Sequence, residues 1–438
     1  MPSSPGTKGS SKKTAHAASR AAELRVGRVL ALCEALLSER GEVSGARIAA
    51  YALSAYEALD APARDMFFDR LAVAFDPEPQ RVRRLAREYD ADPSPARLAR
   101  LQAAVEPPRQ ELFRRANQAT GGTGVLIRLR QQLLRTLAAH PERAGVDADL
   151  LHLFRSWFNR GFLVLRRIDW HTPAVILERL IQYEAVHEIK GWRDLHRRLE
   201  ADRRCYAFFH PVLPDEPLIF IEVALTRGMS AGVEELLDPD APIGRVSQAD
   251  CAMFYSITNC QEGLRGVSFG SFLIKQVVDD LSREFPGIRT FATISPIPGF
   301  CQWLQREAKR RAYSSRLHEA LEGVAKGALP EPRDLVGDLR GEVTRLCVDY
   351  LRPARRSDTP PDPVARFHLA NGAHLHRLNW MADPSPSGMT RSLGLMVNYV
   401  YRPDELERNH EVYVKNGRVI TSPWFLRGLR KRAGGQRA

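Results

Sequence analysis

No segment of this 438-residue chain stays apolar for the roughly 18 residues that a bilayer-crossing helix needs, and no apolar run precedes a small-residue cleavage site. A membrane-spanning or secreted protein is therefore not expected. Cysteine is scarce: Cys33, Cys205, Cys251, Cys260, Cys301 and Cys347 lie far apart, with no CxxC pair. That spacing excludes a zinc ribbon or a disulfide scaffold and reads as reduced core thiols of a cytoplasmic protein. There is no GxxxxGK[ST] phosphate loop and no HExxH pair, so P-loop and zincin chemistry are not indicated. Acid is in deficit, 64 Lys and Arg against 52 Asp and Glu, for a formal charge of +12. Such a balance suits nucleic acid, anionic membrane or a polyanionic ligand. Arginine, however, is scattered through helical stretches (Arg81, Arg83, Arg84, Arg128, Arg130), and no basic patch is interleaved with aromatics. Neither a nucleic-acid partner nor a membrane partner is expected.

What the chain does have is concentrated in residues 251–300. Met253 to Ile257 is an apolar, β-branched and aromatic run that reads as a strand. A turn follows with Gly263, Gly266 and Gly270, and then Phe272, Leu273, Gln276, Val277 and Leu281 recur at helical spacing. Pro286 and Gly287 stop that helix, and Arg289 to Ile294 reads as a second strand. The result is a βαβ unit whose glycines stand where the helix begins. Unpartnered backbone N–H groups and the helix dipole make such a turn a phosphate site, although a plain tight connection would use the same residues. Arg265, Gly266, Val267, Ser268, Phe269 and Gly270 resemble the pyrophosphate loop of GNAT-type acyl-CoA enzymes, Arg/Gln-x-x-Gly-x-Gly/Ala. Ser268 departs from it, standing where the first glycine is usual.

Residues 1–19 contain no acid and are rich in Ser, Lys, Gly and Ala, which predicts a disordered leader. Residues 20–185 are helical almost throughout, with breaks at Asp76–Pro77, Asp92–Pro95, Pro107–Pro108 and Ala119–Gly124. That spacing gives an all-α bundle. Near Trp192 the texture changes, and 186–428 reads as a mixed α/β domain with a mostly antiparallel sheet. Tyr206–Val212 and Leu218–Leu225 form a hairpin in this reading, and Val412–Ile420 forms another about Asn416-Gly417. Residues 429–438 are a basic tail that ends in Ala438 without an SKL address.

Two residues stand out chemically. Ser295 follows the second strand, where Pro296, Pro298 and Gly299 forbid continuation, so it is either a helix cap or a group aimed into a cleft. It is not set in a GxSxG elbow. His368 lies on a helical turn ended by Asn371-Gly372, and histidine is the side chain suited to proton transfer near neutral pH. His374 and His376 alternate without an evident third ligand, so no metal is expected.

The stretches YSITNCQEGLRGVSFGSFLIK (255–275), FATISPIPGF (291–300), CYAFFHPVLPDEPLIFIEVAL (205–225) and FHLANGAHLHRLNWMADPSPSG (367–388) resemble the malonyl-CoA decarboxylase family. They are ordered as in that family and spread over about half the chain. The resemblance implies a helical domain that serves homo-oligomerisation, as dimer or tetramer, followed by a GNAT-like catalytic domain. It implies decarboxylation of malonyl-CoA to acetyl-CoA and CO2 through an enolate that a histidine protonates. Ser295 of SPIPGF and His368 of FHL-x-NGA match the family's catalytic pair, and Tyr401 in NYVY matches a tyrosine near the active site. The loop from Arg265 to Ser271 would hold the coenzyme A pyrophosphate. No cofactor is implied, since coenzyme A is part of the substrate. The alternative is a GNAT-type N-acyltransferase, which would share the loop and require an amine acceptor.

Overall fold

Proline and capping residues cut the first third of the chain into eight helices in the computed structural model, which describes residues 8–38, 40–267, 269, 273–331, 335, 337–352, 360 and 362–425. These are α1 (Lys8–Leu37), α2 (Arg40–Glu57), α3 (Ala61–Ala74), α4 (Pro79–Ala91), α5 (Pro95–Val105), α6 (Pro108–Ala116), α7 (Gly122–Thr136) and α8 (Ala144–Trp157). Each of the four predicted breaks overlaps a gap between two helices. Helices α3 to α6 carry proline in the first turn, where its missing N–H costs nothing, and Asp60 and Ser94 accept backbone N–H groups as N-caps. One expectation is corrected here: Lys8 to Ser19, read as disordered leader, continue α1 upstream. Alanine and lysine have high helix propensity, and no proline interrupts them. Residues 1–7 lie outside the described set.

The chain divides into two compact units. The first comprises Met1–Leu163 with His210–Pro214 and Gln261–Ser268; the second comprises Val164–Phe209, Asp215–Cys260 and Phe269–Ala438. In the helical unit, buried arginines clamp helices together: Arg143 donates to Asp65 and Asp69, and Arg109 to Asp76 and Asp149. No described helix is long and apolar enough to cross a membrane.

The second unit opens with β1 (Val164–Ile168), then α9 (Ala174–Tyr183), α10 (Trp192–Arg198), β2 (Arg203–Phe209), β3 (Ile219–Thr226), α11 (Glu234–Leu237), β4 (Cys251–Asn259), α12 (Leu273–Glu284) and β5 (Thr290–Thr293). It continues with β6 (Ser295–Pro296), α13 (Phe300–Glu307), α14 (Ser315–Lys326), α15 (Asp338–Leu351), α16 (Pro363–Ala370), β7 (His374–Asn379), α17 (Pro386–Ser392), β8 (Met396–Tyr401) and α18 (Leu406–Asn416). Strand β1 falls inside the stretch read as all-helical. Arg166 and Arg167 mask its alternation because it is an edge strand with only Ile168 buried. The sheet runs β1-β2-β3-β4-β5-β8, with β6 and β7 also paired to β8. Only the β4–β5 pair is parallel among the described strands, and α12 supplies the crossover it needs. One face of β2 and β3 is covered by α9 and α10, through Ile176, Leu177, Leu180, Leu195, Cys205, Ala207 and Phe220.

The expected hairpin over 412–420 is not formed. Helix α18 runs through it to Asn416, and Gly417 is its left-handed cap at φ 60°. Asn-Gly serves a type I′ turn and a helix stop equally well, because both require positive φ. The C-terminal basic tail lies outside the described residues.

Candidate active site

Strands β4 and β5 pair in parallel from Cys251–Thr290 to Phe254–Thr293. The last bond across them runs from the Ile294 N–H to the Phe254 carbonyl, 3.0 Å. Beyond it β4 continues to Asn259, while Ser295 and Pro296 pair with Val397 and Met396 on β8. Prolines 296 and 298 lack N–H donors and cannot prolong a ladder to β4. The two edges therefore part, leaving a cavity of about 230 Å³ lined by Phe254 to Ile257, Asn259, Ile294 to Pro296, Pro363, Val364, Phe367 and His368, with Val186 on its wall.

Helix α16 brings His368 to this wedge. Asp362 starts the helix by accepting the N–H groups of Val364 and Ala365, each at 2.9 Å, and Pro363 occupies the first turn. Gly372 ends it at φ 83°, where a Cβ would sit 2.3 Å from the Leu406 carbonyl oxygen, so only glycine fits. The His368 ring is stacked on Tyr399, centroids 4.5 Å apart.

Its two nitrogens are both engaged: Nε2 is 3.0 Å from Ser295 Oγ, and Nδ1 is 2.6 Å from Tyr401 Oη. Ser295 in turn donates to Thr293 Oγ1 at 2.8 Å, and the Tyr399 N–H donates to the same oxygen at 3.2 Å. Asn398 Nδ2 donates to the Thr293 carbonyl at 2.7 Å, and Asn379 Nδ2 donates to Asn398 Oδ1 at 2.7 Å. Ser295, His368, Thr293, Tyr399 and Tyr401 are all buried. The arrangement is a hydrogen-bonded line of hydroxyl, imidazole and phenol that opens on a small, mostly apolar cavity. It can polarise a carbonyl or carboxylate and hand over one proton.

Burial pushes the His368 imidazole down to about 3, so the ring is neutral at physiological pH. Because unfolded histidine titrates near 6.5, the stability this neutral ring contributes is complete above that pH. It is lost, at about 1.4 kcal/mol per pH unit, as the pH falls through 6.5 toward the folded value. His187 and His374, both pushed down to about 4 by burial first of all, add to the same slope. Urea denaturation at pH 7, 6 and 5 is expected to show falling stability, with His368→Asn flattening the slope by about 1.4 kcal/mol per unit. A variant slope equal to that of the unaltered protein would contradict a neutral buried ring.

A larger cavity of about 770 Å³ lies in the same unit and shares only Val186 with the first. Several of its charges are already satisfied: Arg198 by Asp194 and Glu222, and Glu184 by the N–H groups of Val186 and His187 and the Ser256 hydroxyl. The smaller cavity is the one lined by the contacting Ser295 hydroxyl and His368 imidazole, and it is the better candidate.

The structure thus brings Ser295, His368 and Tyr401 together. In the glycine loop, the Arg265 carbonyl accepts from Arg130 Nη1 at 2.8 Å, Gly266 has φ 85°, and Val267 and Phe269 are buried. Ser268, Gly270 and Ser271 lie outside the described residues. Sequence reasoning missed Thr293, Tyr399 and Asn398. Strand alternation carried the signal: Thr293 stands two residues before Ser295, and Tyr399 two before Tyr401.

Comparison with known proteins decides the family. The model of the malonyl-CoA decarboxylase C-terminal domain matches residues 161–437, and that of the N-terminal domain matches 75–158. The chain belongs to the malonyl-CoA decarboxylase family. The crystal structure of malonyl-CoA decarboxylase from Rhodopseudomonas palustris is 47% identical, with TM-score 0.86 over 92% of this chain and 99% of that one. The enzyme from Agrobacterium vitis is 45% identical, with TM-score 0.84 over 92% and 99%. The mitochondrial malonyl-CoA decarboxylase of Rattus norvegicus is 36% identical over 354 residues, 75% of this chain and 72% of the relative. The fold is therefore that of the family, an all-α region followed by a GNAT-like α/β domain. The cytoplasmic assignment is corrected, since the curated relatives from rat, mouse and goose are mitochondrial by name. Six buried reduced thiols suit any reducing compartment and do not single out the cytosol.

Proposed function

We infer that this chain is a carboxy-lyase that converts malonyl-CoA to acetyl-CoA and CO2. The observation that carries the reading is the Ser295–His368 contact in the β4–β5 wedge, formed by two stretches that lie within the match to the family's C-terminal domain. Loss of CO2 from a malonyl thioester breaks the bond between the α-carbon and the carboxylate and sends its electron pair toward the thioester oxygen. The thioester is itself the electron sink, so the step draws on donors aimed at that oxygen. We propose that Ser295 orients the departing carboxylate or the carbonyl, that His368 returns a proton to the α-carbon, and that Tyr401 holds the ring through Nδ1.

The neutral imidazole has a part in this scheme. A malonyl carboxylate brought beside His368 favours its protonated form. That added proton enters at Nδ1, the acceptor nitrogen of the ring, while the enolate carbon receives the one on Nε2, which matches the one proton each turnover consumes. For the coenzyme A pyrophosphate we propose Arg265 to Ser271, which precede α12 in the sequence. We further propose that the helical unit, which exposes Leu24, Tyr51 and Val73, mediates a homo-oligomer, dimer or tetramer, with no nucleic-acid partner.

Incubation of the purified protein with malonyl-CoA alone is expected to give acetyl-CoA and CO2 in equal amounts. Intact malonyl-CoA that is consumed only when an amine is added would identify an N-acyltransferase instead. Light scattering that shows a monomer would remove the oligomer from the proposal.

A further inference from the structure

We propose that Thr293 is a positioning residue that fixes which nitrogen of His368 carries the proton. A serine hydroxyl has one proton to give, and that of Ser295 goes to Thr293 Oγ1 at 2.8 Å. His368 Nε2, 3.0 Å from the same Ser295 oxygen, must then be the donor in that contact. A neutral imidazole has a single N–H, so Nδ1 is the acceptor and Tyr401 Oη–H is its donor, across 2.6 Å. The protons therefore run Tyr401 to His368 to Ser295 to Thr293, and the N–H that faces the cavity side is on Nε2. Without an acceptor at 293 the Ser295 hydroxyl turns to Nε2, and the ring proton moves to Nδ1, away from the reacting carbon.

Thr293 is built to hold this role. Its side chain is completely buried, and its Oγ1 is fixed in place by the Tyr399 N–H at 3.2 Å. Its carbonyl is fixed by Asn398 at 2.7 Å, and Asn398 is itself held by Asn379. Oγ1 thus presents a preset lone pair to Ser295 in the resting protein; a malonyl carboxylate or carbonyl that takes the hydroxyl proton in its place still leaves the N–H on Nε2. The residue touches neither substrate nor cavity; it acts through Ser295.

The inference rests on Ser295 and His368 as the reacting pair. Its test reads the ring without turnover: ¹⁵N-histidine spectra of the full-length protein, with the His368 signal assigned by its loss in His368→Asn. Nε2–H is expected in the unaltered protein and Nδ1–H in Thr293→Val, with Thr293→Ser restoring Nε2–H. In malonyl-CoA turnover, Thr293→Val is expected to lose about tenfold in kcat with KM unchanged, the factor that one hydrogen bond of about 1.4 kcal/mol supplies. Thr293→Ser is expected to regain most of it. An unaltered protein with the proton on Nδ1 overturns the proposal with no variant needed, even if Thr293→Val does not fold. A folded Thr293→Val that keeps Nε2–H overturns it as well, whatever its rate. A protein with the Nε2–H ring but no decarboxylation would count against the proposed function and leave this inference standing.

Discussion

His368→Asn is expected to lower kcat for malonyl-CoA by roughly 10²–10⁴-fold, the range for loss of a positioned proton donor, with little change in KM. The split follows from where the ring acts. The imidazole serves the carbanion formed as CO2 leaves, whereas most of the binding surface of malonyl-CoA belongs to the coenzyme. A group used only in the transition state takes kcat and kcat/KM down together. Ser295→Ala is expected to fall in the same range, and the double variant to be no worse than the poorer single one, because Ser295 and His368 act through one 3.0 Å contact. Tyr401→Phe, which removes only the partner of Nδ1, is expected to cost less. Steady-state kinetics with far-UV circular dichroism as a folding control checks all four. Multiplicative losses in the double variant, or full activity in His368→Asn, would remove the pair from the mechanism.

The wedge was legible in outline from residues 251–300, because strand, glycine turn, helix and strand each announce themselves locally. Pro296 and Pro298 even mark where the second edge must leave the first. What could not be read was which far segment fills the gap. His368 is 73 residues from Ser295, and their contact depends on α16 being capped by Asp362 and stopped by Gly372 against Leu406. Only the family resemblance paired them beforehand. Thr293 and Tyr399 were missed for another reason. Threonine and tyrosine are ordinary strand residues, and the alternation that puts them on the face of Ser295 and Tyr401 marks core positions just as well as one that orients a catalytic hydroxyl. Val164–Ile168 and Asn416-Gly417 failed locally, the first because an edge strand tolerates arginine and the second because one dipeptide serves two stops.

Arg198→Met is expected to destabilise the α/β unit by about 1–3 kcal/mol at pH 7, the cost of leaving the buried Glu222 carboxyl and two backbone carbonyls without their donor. Arg198 and Glu222 are only 2% and 1% exposed, and their contact is 2.8 Å. The same guanidinium also bonds Asp194 and the carbonyls of His187 and Glu188. Those carbonyls directly follow Val186 on the wall of the candidate active site, so the pair connects the core to the cavity. Burial pushes the Glu222 carboxyl up to about 8, with Arg198 opposing it. A folded carboxyl raised above its unfolded value contributes stability in full below that unfolded value and loses it as the pH rises through the folded one. Without Arg198 the folded value climbs further. Both proteins then lose stability alike between pH 4.5 and about 8, but only the variant goes on losing it above that, by about 1.4 kcal/mol per unit. Urea denaturation at pH 7 and pH 9 is the measurement. Arg198→Met with Glu222→Leu, which removes the stranded carboxyl, is expected to recover most of the loss and to show no extra cost at pH 9. A single variant within about 1 kcal/mol of the unaltered protein would mean that the pair behaves as an exposed salt bridge does. That outcome would also free the 187–188 segment from any part in shaping the site.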